Sequence, residues 1–193
     1  MNPILTAIAI ATVWLGLASP IFADTTTKWR GTGDITFSGT STLHEWSGKV
    51  ATEPFIATVD IDDHQQPKSL KAAAQVKATA MDTAEPDRDK KMRESMKVGS
   101  FPLITASFDT AFTGEIPPQT LPFELTLLGK AQKVEGTISN WKAAKNNKQV
   151  TFDVTFDLSL KTSNIKVPSV LLVIRVGDTI KVRATITLNR VSA

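Results

Sequence analysis

From Val150 to Lys161 the chain alternates without interruption. Val150, Phe152, Val154, Phe156, Leu158 and Leu160 are apolar, and Thr151, Asp153, Thr155, Asp157, Ser159 and Lys161 between them are polar. A two-residue period puts every apolar side chain on one side only if the backbone is extended, so this stretch is a strand with one buried and one wet face. The same pattern returns four times. It runs through Leu70–Ala80, Ile104–Phe112, Leu121–Leu127 and Ile180–Leu188, with shorter traces in Asp34–Gly39, Gly48–Asp60 and Lys133–Trp141. One-faced strands of this kind belong to antiparallel sheets. About eight of them must stack as a sandwich or close as a barrel to hide their apolar faces. The turns between them are polar, as in Lys145-Asn146-Asn147-Lys148 and Gly114 through Pro118, and Leu128-Gly129-Lys130 is short enough for a hairpin.

The first 23 residues follow another rule. Met1 to Ala23 contains no ionisable side chain, and 16 of these residues are apolar. The apolar run from Ile4 to Leu17 is short for a membrane span and suits the core of a signal peptide. Pro20 precedes small Ala23, and the first charge is Asp24. The reading is a signal peptide over 1–23, cleaved near Ala23, and a single folded domain over 24–193 in the periplasm or outside the cell. An uncleaved anchor is the alternative. No cysteine is present, which excludes disulfides, a thiol nucleophile and a lipid-modified cysteine.

One segment breaks the alternation. Asp82 to Val98 is rich in helix formers, Asp82 and Glu85 are spaced as a capping box, Pro86 suits a first turn, and Gly99 suits a stop. Helical spacing puts Arg88, Met92 and Met96 on one face and directs Lys90, Lys91 and Glu94 elsewhere. Two methionines so placed are more often core than ligand contacts. Arg88 beside them needs a carboxylate or the polar head of a ligand, and an ion pair is the commoner arrangement.

Two explanations fit the Leu70–Ala80 strand, whose inward row contains four alanines. Either a helix packs closely on it, or the missing side-chain volume widens a cavity inside a barrel. The inward rows carry almost no ionisable groups, so a ligand in such a cavity would be a long hydrocarbon.

Catalytic chemistry is sparse. Ser41 and His44 are near neighbours, but no nucleophile elbow surrounds them, and His44 is expected to fix its loop by a hydrogen bond, with contact to a ligand head as the second choice. Asp60, Asp62, Asp63 and His64 read as a solvated hairpin turn rather than a metal site. Neither a phosphate loop nor a paired-carboxylate site is evident, and no cofactor is expected. A net charge of +3 with scattered Lys and Arg and 7% aromatics argues against nucleic acid.

Four segments together resemble the YceI-like family of exported bacterial proteins. They are Phe37-Ser38-Gly39-Thr40-Ser41-Thr42-Leu43-His44-Glu45-Trp46-Ser47-Gly48; Asp87 to Met92 followed by Phe101 to Phe108; Phe123 to Lys130; and Val167-Pro168-Ser169 through Val176-Gly177-Asp178. The chain departs from the family pattern at Thr162–Ile165 and at Leu171–Ile174. The resemblance implies an all-β, antiparallel, lipocalin-like barrel of about eight strands with one helix near 82–98. It also implies an elongated cavity for a polyisoprenoid or similar long-chain lipid, in carrier or stress-related proteins that are not established enzymes. On strand parity and motif placement, His44 and Arg88 should sit at one end of the cavity with Met92 and Met96, and Phe108, Leu125, Phe152, Val154 and Phe156 should line its wall. Transient contact with a membrane is expected of such a carrier, while monomer and homodimer both stay open. The rival is a filled barrel acting as a periplasmic structural or protein-interaction module.

Overall fold

Inward-facing apolar rows drive the strands together. In the computed structural model, which describes residues 25–62, 64, 66–114, 116–145, 147–166 and 176–191, nine strands and one helix form. The strands are β1 (Thr25–Thr40), β2 (Glu45–Ala51), β3 (Phe55–Ile61), β4 (Pro67–Lys77), β5 (Leu103–Ala111), β6 (Thr120–Leu127), β7 (Lys130–Ala143), β8 (Gln149–Ser159) and β9 (Thr179–Arg190). The helix α1 (Pro86–Ser95) lies between β4 and β5. Several sequence readings fall outside the described residues: the signal segment, Val167–Ser169, Leu171–Ile174, Asp63, Glu115 and Asn146.

All pairings are antiparallel, and the order β1-β3-β4-β5-β6-β7-β8-β9 returns to β1 through a β1–β9 ladder from Trp29↔Arg190 to Ser38↔Lys181. This closes an eight-stranded barrel and removes both sheet edges. The ninth strand, β2, shares one edge of β1 with β3. Residues 25–31 of β1 pair with β3, and residues 34–40 pair with β2. At the break between them Thr52 N–H donates to Gly33 O and Gly33 N–H donates to Thr52 Oγ1, both at 2.8 Å. The wall therefore stays hydrogen-bonded across the kink.

Three strand readings from the sequence need correction. Asp34–Gly39 is only the second half of a 16-residue strand. Its first half was illegible because the inward positions are Thr27, Trp29, Gly31 and Gly33, which make no apolar alternation. Gly48–Asp60 is two strands, parted at Thr52-Glu53-Pro54. The Leu70–Ala80 strand ends at Lys77, and Ala78–Ala80 form a 3-10 turn whose Ala78 N–H donates to Pro102 O at 2.8 Å.

The helix is also shorter than its helix-forming composition suggests. Asp82 and Glu85 form no capping box, because Glu85 is itself the N-cap residue and Asp82 accepts from Ala84 N–H. A carboxylate inside the helix reaches back instead: Asp89 Oδ1 accepts from Thr83 N–H at 2.9 Å and from Thr83 Oγ1 at 2.6 Å. These donors hold the Asp89 carboxyl below its ordinary range, chiefly through the Thr83 hydroxyl. Lys97, not Gly99, stops the helix. It takes φ +48, Lys97 N–H donates to Glu94 O, and Val98 N–H donates to Arg93 O, the paired bonds of a Schellman end.

Candidate ligand-binding cavity

Along each strand the inward row meets the rows of its neighbours, and in a filled barrel their side chains would interdigitate completely. Here they do not. No large side chain among the described residues is less than 2% exposed, and even Phe152 and Val154, midway along β8, keep 6% and 5%. The interior instead holds a cavity of about 490 Å³, within the range of small-ligand sites. Two apolar clusters bound it. Phe37, Val50, Val76, Leu160 and Ile180 form one, and Ala57, Leu121, Phe152, Val154 and Leu188 form the other.

The alanines of β4 settle one alternative. Ala72 and Ala74 line the cavity between Leu70 and Val76, so the missing volume widens the interior. Ala106 of β5, paired with Ala74, continues the small-residue wall.

All nine residues singled out from the sequence line this cavity. Phe108, Leu125, Phe152, Val154 and Phe156 form part of its apolar wall, and Met92, Met96, Arg88 and His44 border it from α1 and the β1–β2 hairpin. Aromatic rings bridge the wall: Phe123 stands edge-on to Phe156 at 5.3 Å between centroids. Met96 is buried and Met92 half-buried, so the pair packs into the lower side of the helix and also bounds the cavity.

Polar lining is confined almost wholly to one end. Ser41, His44, Glu85, Asp87, Arg88 and Lys91 gather where α1 and the β1–β2 hairpin meet. This corrects the expectation that Lys91 points away. Arg88 forms no ion pair among the described residues, against the commoner arrangement. The hairpin is fixed by the backbone of His44 rather than its ring. Ser41 N–H and Ser41 Oγ both donate to His44 O, at 2.9 and 2.8 Å, and His44 N–H returns to Ser41 Oγ at 3.2 Å. The Ser41 hydroxyl is thus committed to a peptide oxygen, and His44, exposed to solvent, borders the cavity. Behind the mouth, Asp178 ties the end of β8 to the start of β9, accepting from Lys161 N–H and Ser159 Oγ at 2.8 Å each. Those two donors lower its pKa.

Parity missed several lining residues. Trp46 and Phe55 sit on β2 and β3, where the kink at Thr52–Pro54 breaks the alternation. Ser95 and Glu85 had no signal beyond their place on the helix. Hydrogen bonds occupy the carboxylates of Asp60 and Asp62: Asp60 accepts from Thr26 and Ser69, and Asp62 Oδ1 accepts from His64 N–H and Gln66 N–H.

A closed eight-stranded antiparallel barrel with an apolar hollow, charged at one end and roofed there by a short helix, defines a lipocalin-like cavity protein. Residues 23–188 match the YceI-like domain, and the chain belongs to the YceI-like family. Solved structures of similar fold include BcnA of Burkholderia cenocepacia, with 15% identity and a TM-score of 0.59 over 80% of this chain and 95% of that one. A polyisoprenoid binding domain from Saccharophagus degradans, implicated in plant cell wall breakdown, shares 8% identity at a TM-score of 0.60, covering 86% of this chain and all of that one. The YCEI protein of Campylobacter jejuni is 16% identical, with a TM-score of 0.51 over 71% of this chain and 81% of that one. No curated protein matches the chain.

Proposed function

We propose that this protein binds and carries a long-chain, polyisoprenoid-like lipid outside the cytoplasm, without catalysing a reaction on it. The observation that carries the reading is the apolar hollow inside a closed barrel, with charge gathered at one end. A hydrocarbon chain satisfies such a wall, whereas a sugar or nucleotide would leave its polar groups unpaired there. His44 and Arg88 then meet the polar head, and Phe108, Leu125, Phe152, Val154 and Phe156 contact the chain, with Met92 and Met96 adapting between the two. The polyisoprenoid binding domain of similar fold supports this ligand class. The leading apolar segment supports export, and delivery of such a lipid requires transient contact with a membrane. The filled-barrel alternative has no observation in its favour, since the interior is not filled.

Native mass spectrometry of protein purified from the periplasm tests the reading. The expected mass is that of the processed chain plus one lipid, with the same lipid recovered by organic extraction. A bare chain and a lipid-free extract would sink it.

A further inference from the structure

The barrel is not hydrogen-bonded evenly around its circumference. The β8–β9 ladder runs for eleven register pairs and β1–β9 for ten, and the next shortest seams, β3–β4 and β7–β8, have five each. The β5–β6 seam has three: Thr105↔Thr126, Ala106↔Leu125 and Ser107↔Glu124. Yet these strands are nine and eight residues long. Beyond Ser107 the two chains run on without ladder partners in each other, Phe108–Ala111 held by β4 and Thr120–Phe123 held by β7.

The cause is partly in the sequence. Pro122 has no N–H to give to β5, and a proline inside a sheet is tolerated only where a ladder bond is missing. Two contacts span the gap. Thr110 Oγ1 donates to Pro122 O at 2.9 Å, and the Phe108 and Phe123 rings meet at 5.2 Å between centroids. Both rings and the neighbouring Leu121 line the cavity, so a hollow rather than a packed core lies behind the gap.

We propose that this half of the β5–β6 seam is a lateral portal through which the apolar chain of a ligand passes into and out of the barrel. The proposal rests on the lipid-binding reading above and adds the route. No ladder pair joins the strands over this half of the seam, where a hydroxyl–carbonyl bond and a ring pair bridge them, whereas parting any other seam breaks a run of paired residues. The helix end is a poorer path for a hydrocarbon, because Glu85, Asp87, Arg88 and Lys91 border it and must stay solvated. At the seam the chain slides past phenyl rings.

The cysteine-free chain makes the test clean. Extending the register past Ser107↔Glu124 places Ala111 opposite Thr120, so Ala111→Cys with Thr120→Cys provides a removable clamp across the portal and leaves Pro122 in place. Asp157→Cys with Lys181→Cys, register partners in the long β8–β9 ladder, is the control. Uptake and release of cis-parinaric acid are followed by stopped-flow fluorescence with each clamp oxidised and reduced. The portal clamp should slow both rates by about tenfold or more when oxidised, leaving Kd unchanged, and the control should alter neither. Equal rates in the two redox states, or equal slowing by the control, overturn the portal while leaving lipid binding intact. Failure of the unsubstituted protein to bind the probe removes both readings. Amide hydrogen exchange on the unsubstituted protein covers a clamp variant that does not fold. Phe112 N–H donates to Lys68 O on the β4 side, so the alternate Asp109 and Ala111 amides face the open half of the seam. They should exchange at least about tenfold faster than the amides in the middle of β8, and equal protection overturns the proposal.

Discussion

Asp153 shows how much one outward side chain can carry. It lies on β8 between Phe152 and Val154, faces away from the hollow, and is nevertheless 5% exposed. Arg183 and Asn140 donate to its Oδ2 and Thr185 to its Oδ1, each at 2.6 Å. These bonds, the Arg183 guanidinium first, hold its pKa down to about 2 from an ordinary 3.8. The folded value lies below the unfolded one, so the stabilisation is complete above about pH 4 and drains away as the pH falls toward 2. It is worth ~1–2 kcal/mol after allowing for the half-exposed guanidinium. Urea titrations should find Asp153→Asn less stable by that amount at pH 7, with a much smaller loss between pH 4 and 2 than the parent. Phe156 tests the hollow at the same scale. Because its ring borders free space, Phe156→Ala should cost only ~1–2 kcal/mol rather than the ~3–5 kcal/mol of a ring lost from a solid core. Chemical denaturation reads the difference.

Among the elements, β4 and α1 divide the work of shaping the cavity. The β4 alanines act by what they leave out. Ala74→Leu should fill part of the hollow, change stability by less than ~1.5 kcal/mol, and weaken binding of a long-chain fluorescent probe several-fold. The helix depends on Thr83 and Asp89 for its seating, so Asp89→Ala should lower stability by ~1–3 kcal/mol, leaving a buried hydroxyl and N–H without an acceptor. Thermal unfolding of the two proteins side by side measures it. Legibility differed between elements for physical reasons. The strands β8 and β9 were plain because their inward rows are unbroken Val, Phe, Leu and Ile. The first half of β1 was hidden because closure crowds its inner face: at Gly31 an added Cβ would collide with the Phe55 ring, so glycine stands where a pattern would show an apolar residue. The Leu128-Gly129 turn was legible through its glycine, and both residues take the positive φ of a type I′ hairpin, +51 and +71. The helix stop was not, since Lys97 adopts the left-handed conformation without being glycine.

At the scale of the whole molecule, binding and folding are coupled through the hollow. A ligand that occupies the folded barrel but not the unfolded chain stabilises it by RT ln(1 + [L]/Kd), ~2.7 kcal/mol at a hundredfold excess over Kd. The delipidated protein should therefore melt several degrees lower than the loaded one in scanning calorimetry, and re-addition of extracted lipid should restore the melting temperature. Period two alone determined which side chains share a face, because a strand has only two faces; that is why all five wall residues chosen by parity do line the cavity. Parity says nothing of how far apart opposite walls stand. That distance was decided by closure, the long β1–β9 ladder joining the two ends of the described chain, and by alanines meeting across β4 and β5. Whether an apolar row becomes a core or the wall of a cavity depends on volume enclosed against volume filled, and only the assembled barrel has an enclosed volume.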